Sequence, residues 1–148
     1  MNTKCALTVG TILCLSALAM NSASALPPAN RNDVVGTWVN VNPATGGIVK
    51  VVITNDATGF KIHTFGACSP TPCDHGAILA SPFSKSVASD VAEGVTGSYN
   101  FGFATMLVTA KRVFDIDGGN FLSLNTFTRF APRDARKDYT RFELFIKR

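Results

Sequence analysis

From residue 35 onward the chain is built of short runs in which apolar and polar side chains alternate, and each run ends at glycine, asparagine or aspartate. An alternation of period two places successive side chains on opposite faces of an extended strand, so each run offers one face to a core. The runs cover 35–41, 48–55, 60–65, 76–83, 97–103, 105–114, 121–130 and 139–147. Val49, Val51 and Ile53 would share the core face of the second run, Leu122, Leu124 and Thr126 that of the seventh, and Phe142, Leu144 and Ile146 that of the last. Between runs stand NPATGG (42–47), NDATG (55–59) and DGGN (117–120), rich in residues that accept the positive φ of tight hairpins. Neighbouring strands are therefore predicted to be antiparallel. Eight such strands predict an all-β, single-domain fold, either an antiparallel eight-stranded barrel or a sandwich.

One stretch breaks the rhythm. Residues 81–97, SPFSKSVASDVAEGVTG, carry small side chains that build little core. They are expected to form a flap at one end of the barrel, with a short helix from about Ser86 to Glu93 as the alternative.

The first 25 residues follow a different logic. Lys4 precedes an apolar run at 6–20, and Ala23-Ser24-Ala25 forms a small-x-small cleavage site. This predicts a signal peptide at 1–25 and a mature domain at 26–148, exported to the periplasm or secreted. The run is too short for a good membrane span, so no transmembrane segment is expected after its removal.

Export changes the meaning of the cysteines. Cys5 and Cys14 leave with the signal, and only Cys68 and Cys73 remain, inside GACSPTPCDHG at 66–76. In an oxidising compartment two cysteines about a proline-bearing turn predict a disulfide. A zinc site made of His63, Cys68, Cys73 and His75 is the competing reading, but its thiolates would have to survive oxidation. No metal and no cofactor are expected. Catalytic motifs are sparse: there is no G-x-S-x-G, P-loop or H-E-x-x-H. A hydrolase could rest only on His63, Asp74 and His75, which lack an evident nucleophile, so no catalytic residue is assigned.

Charge is uneven along the chain. The full sequence carries 14 basic and 10 acidic side chains, and seven of the basic residues lie between Arg129 and Arg148. Clustered guanidinium groups grip phosphates and carboxylates. Arg129, Arg133, Arg136, Lys137 and Arg141 are thus candidates for contact with anionic lipid, lipopolysaccharide or an acidic protein, whereas nucleic acid is not expected in this compartment.

The tripeptide Gly36-Thr37-Trp38 at the start of the first strand resembles the opening of lipocalins and avidins, in which the tryptophan plugs one end of an up-and-down barrel. That likeness implies that a late arginine, here Arg141, covers Trp38. The segment from Phe65 to Gly76 is similar to a W-G-x-C-x-P-T-x-C-D-W-G signature of small exported bacterial domains of unknown function, with Phe65 and His75 in place of the tryptophans. The likeness extends to GTWVNVNP at the first strand and YNFGF at 99–103, and it implies a family but no chemistry.

The favoured function is a non-catalytic binding module for a small apolar ligand. Its candidate lining is Trp38, Asn40, Tyr99, Phe101 and Phe103, with Phe121 and Phe127 nearby. The alternative is an envelope or secreted interaction protein using the basic segment. Exchanging both cysteines for serine is expected to cost about 2 kcal/mol or less, because the closed loop is short. Chemical denaturation measures that loss, and alkylation mass spectrometry of the exported protein should find no free thiol.

Overall fold

A computed structural model describes residues 33–116 and 118–148; the predicted signal peptide lies outside the described residues. These residues form nine strands and no helix: β1 (Gly36–Asn40), β2 (Ile48–Asp56), β3 (Gly59–Gly66), β4 (Cys73–Leu79), β5 (Ser81–Phe83), β6 (Gly94–Asn100), β7 (Ala104–Phe114), β8 (Asn120–Phe130) and β9 (Tyr139–Lys147). All nine belong to one antiparallel sheet in the order β4-β3-β2-β1-β9-β8-β7-β6-β5. The β1–β9 pairing brings the first and last strands together at the middle of the sheet.

The ladder does not close. β4 pairs with β3 and β5 pairs with β6, yet only Ala80 separates β4 from β5. Residues 73–83 are thus one extended run that changes partners at Ala80, whose N–H donates to the carbonyl of Phe60 at 2.9 Å. This is why the alternation predicts one strand at 76–83 where the sheet has two. The expected eight strands become nine.

The inward row is apolar: Trp38, Val51, Ile53, Phe60, Ile62, Val95, Val108, Leu122, Leu124 and Phe145 are almost wholly buried. Two expected faces are reversed or shifted. On β9 the core residue is Phe145, while Phe142 and Ile146 are 62% and 41% exposed on the opposite face. Alternation tells which residues share a face but not which face is covered. On β2 a bulge between Ile48 and Lys50 turns Ile48 inward in place of Val49.

The flap also takes another form. No helix forms at 86–93; Ala92 is fully buried in the core, and the Arg112 N–H donates to the Glu93 carbonyl at 2.9 Å. The strand expected at 97–103 begins three residues earlier, and 101–103 instead turn the corner into β7.

Tyr99 joins the two halves of the sheet. A register irregularity between His63 and Phe65 interrupts the β3–β4 ladder, opposite Gly76 at φ +79°. The Tyr99 hydroxyl, coming from β6, fills that break. It accepts from the Thr64 N–H at 3.0 Å and shares its single proton between the carbonyls of Ile62 and Gly76, 3.0 Å and 3.1 Å away. Close by, Gly97 leaves room for Ile78 and the carbonyl of Leu79. Tyr99→Phe strands a buried N–H, and the expected loss is about 2–3 kcal/mol. Tyr139→Phe, at a half-exposed position, should change stability by less than about 0.5 kcal/mol. Urea unfolding of the two variants side by side checks the contrast.

Candidate ligand-binding site

Four connections meet at one end of the curled sheet: β1–β2, β3–β4, β6–β7 and β8–β9. Between them lies a cavity of about 380 Å³, within the range of small-molecule sites. Its walls are apolar on one side, where Phe101, Phe103, Ala104, Met106 and Phe130 gather. Gly66, Ala67 and the Cys68–Cys73 pair form another wall, and Thr126, Thr128, Tyr139 and Arg141 close it from β8 and β9.

The aromatic row starts at Tyr99 near the end of β6 and continues through the corner that leads into β7. Tyr99, Phe101 and Phe103 stack in series, with ring centroids 5.7 Å and 6.0 Å apart. Their burial decreases along the row: Tyr99 is 2% exposed and Phe103 52%, so the row runs from core to mouth. The cysteines are at disulfide-bonding distance, with Cα atoms 5.4 Å apart, and hold the β3–β4 turn against the rim. On the opposite rim Glu143 fixes the β1–β2 turn. Its carboxylate accepts from Asn40 Nδ2 at 3.1 Å and the Ile48 N–H at 3.0 Å, and it also bonds Thr45 Oγ1. A Cβ at Gly47 would run into that carboxylate.

The candidates from the sequence separate into groups. Phe101 and Phe103 line the cavity; Trp38, Asn40 and Tyr99 do not. Trp38 is fully buried and its Nε1–H donates to the Val34 carbonyl at 2.9 Å. Lys147, not Arg141, lies over its ring at 5.3 Å. Asn40 supports the rim by donating to the Ile48 carbonyl at 2.8 Å as well as to Glu143. Phe127 lies on the outer face, 44% exposed, and Phe121 has the same strand parity, so neither joins the aromatic row.

The basic segment is also divided. Arg136 and Arg141 reach the cavity, whereas Arg129, Arg133 and Lys137 are exposed and do not line it. Arg136 is paired with Asp134 at 2.7 Å and lies over the rings of Phe130 and Phe103 at 4.2 Å and 4.8 Å. The same bond holds the Asp134 carboxyl down at about 2. Arg141 sits over the edge of the site, 5.9 Å from the Tyr139 ring, with no carboxylate partner among the described residues.

His63 and His75 face opposite sides of the sheet. His63 bonds Asp74 and stacks on Phe65 at 4.2 Å on the outer face. His75 lies inward, sharing a 3.0 Å hydrogen bond with Thr64 Oγ1 and standing 5.3 Å from the Phe101 ring. The set weighed for zinc, and the triad weighed for hydrolysis, are thereby split by the sheet itself. The hydrogen bond from His63 lowers the Asp74 pKa, and burial lowers that of His75.

Neither the arginines' positions nor the unpartnered hydroxyl of Thr128 could be read from the sequence. Thr128 is 5% exposed, and its Oγ1 has no hydrogen-bond partner among the described residues. The only sequence signal was its parity with Leu122, Leu124 and Thr126. No protein-family model matches the chain, and comparison with curated proteins and with solved structures found no match.

Because the folded-state pKa of His75 lies below its unfolded value of 6.5, the unfolded chain binds the extra proton first. His75 therefore contributes stability above pH 6.5 that is lost as the pH falls from there toward its folded pKa. The urea midpoint should decline on acidification through this window, ahead of the carboxylate range in which Asp74 acts. In His75→Gln the decline over that window should flatten.

Proposed function

We propose that the protein is an exported, non-catalytic binding module, a lipocalin-like barrel in form, whose cavity takes a small apolar ligand. The observation that carries this reading is the cavity of about 380 Å³ with a graded row of phenylalanines leading into it. Aromatic side chains exposed at a concave mouth provide apolar contact area at low conformational cost. Supporting this, the rim is held from two sides, by the cysteine pair at the β3–β4 turn and by Glu143 at the β1–β2 turn. A preformed rim avoids much of the ordering cost of binding.

In this reading the sheet works as a barrel whose seam is bridged by the Tyr99 hydroxyl and by the partner change at Ala80 rather than by a continuous ladder. The opposite end is filled by Trp38 and Ala92, so ligand entry is from the Phe103 side. Export through the predicted signal peptide places such a module in the periplasm or outside the cell.

The neutral dye N-phenylnaphthylamine tests the reading. Its fluorescence should rise on mixing with the protein, and Phe101→Ala should weaken binding about tenfold, as expected for losing an aromatic contact of about 1.5 kcal/mol. Ala67→Trp, which fills the mouth from an exposed rim position, should abolish the signal while the melting temperature stays unchanged. An unaltered signal in both variants would place the dye elsewhere and refute this site.

A further inference from the structure

The walls of the cavity contain two guanidinium groups and no carboxylate. One of the two is already neutralised, because Arg136 is held by Asp134, a residue outside the lining. Arg141 remains as the one cation of the lining without an ion pair among the described residues, since Glu143, two residues along β9, lies outside the lining and is taken up by Asn40, Thr45 and the Ile48 N–H. Across the β8–β9 ladder Arg141 pairs in register with Thr126, and Tyr139 pairs with Thr128, so the cation and the two threonines occupy one polar patch, which adjoins the apolar side at Met106, the β7 partner of Thr128. Within that patch the Thr128 hydroxyl is buried and has no partner among the described residues. A buried hydroxyl without a hydrogen bond is destabilising, so this one calls for a partner that the described residues do not supply.

The geometry points to an apolar monocarboxylate as the ligand, its hydrocarbon or ring body against Phe101, Phe103 and Met106 and its carboxylate between the Arg141 guanidinium and the Thr128 hydroxyl. The inference rests on the binding reading above and adds the charge and polarity of the ligand. A single negative charge matches the single unpaired cation, since a second would meet no free positive group in the lining. Guanidinium and hydroxyl donors together suit a carboxylate, which accepts from two directions in one plane. On the phenylalanine-lined side the polar side chains are already engaged, His75 with Thr64 Oγ1 and Arg136 with Asp134, so a ligand polar at both ends is disfavoured.

Two matched pairs of probes decide the matter by isothermal titration at neutral pH and low salt: decanoate against decanol, and naphthoate against naphthol. The first pair reads an acyl chain and the second a flat ring. In at least one pair the acid should bind about tenfold more tightly than its neutral partner, the scale of one charge-assisted pair at a partly exposed site. Arg141→Gln should erase that preference and leave the neutral compound's affinity within about twofold, as for loss of a single polar contact. Arg141→Lys should retain part of the preference, since it keeps the charge but not the fork. Thr128→Val should weaken the acid severalfold while the empty protein melts no lower than the original, which separates a ligand contact from a structural one.

Equal binding of acid and neutral partner in both pairs would overturn the inference, and so would an acid preference that survives Arg141→Gln. In either case binding of the neutral compounds and of N-phenylnaphthylamine would leave the binding module standing. Refusal of all four probes and of the dye would overturn both.

Discussion

One hydroxyl group holds the architecture in register. Without Tyr99, β3 and β4 would carry an open bulge with an unpaired N–H at Thr64, and the seam between β4 and β6 would be left to side-chain packing and the partner change at Ala80. Backbone donors buried away from water are rarely left unpaired, so the break in the ladder and the tyrosine that fills it belong together. Burial raises the Tyr99 pKa, which keeps the group a neutral hydroxyl that can accept and donate at once. Because the tyrosine reaches across from β6, it fixes the distance between the two halves of the sheet, and with it the position of the ring row that leads to the mouth.

The two ends of the curled sheet are made differently. At one, Trp38 and Ala92 are fully buried, and the Arg112–Asp33 ion pair at 2.9 Å ties β7 to the residues before β1. At the other, glycines and small residues at 46–47 and 66–67 leave space that neighbouring side chains do not fill. The difference follows from residue volume: a protein interior packs closely wherever large side chains converge, and a cavity persists where the backbone turns are held open by fixed supports. Glu143 is one such support, an inward-facing carboxylate satisfied by the turn it braces. It has the strand parity of Phe145 but a structural rather than a packing role.

Much of the fold could be read in advance. Alternation marked the strands because a half-buried sheet imposes it, and the glycine, asparagine and aspartate clusters marked the turns because few other residues accept their backbone angles. The proximity of Cys68 and Cys73 was legible for the same reason, as a five-residue separation about a turn limits how far they can part. Within the candidate site, Phe101 and Phe103 were legible through their parity with Tyr99. Arg141 was identified too, although first placed by resemblance over Trp38, where Lys147 stands instead.

The sequence by itself determined the local terms: an all-β antiparallel chain, its turns, and which side chains travel together on a strand face. Only the tertiary structure decided which of those faces turns inward. Phe142 and Ile146 alternate as regularly as Leu122 and Leu124, yet they point outward, because period two is symmetric and the choice is made by what lies across the sheet. The same holds for the chemistry. Asp134 compensates Arg136 and leaves Arg141 without an ion pair among the described residues, while Thr128 loses its solvent without gaining a partner there. The Asp134–Arg136 pair is local to one loop, but the isolation of Arg141 and the burial of Thr128 depend on neighbours from other strands, and no single run of the chain contains them.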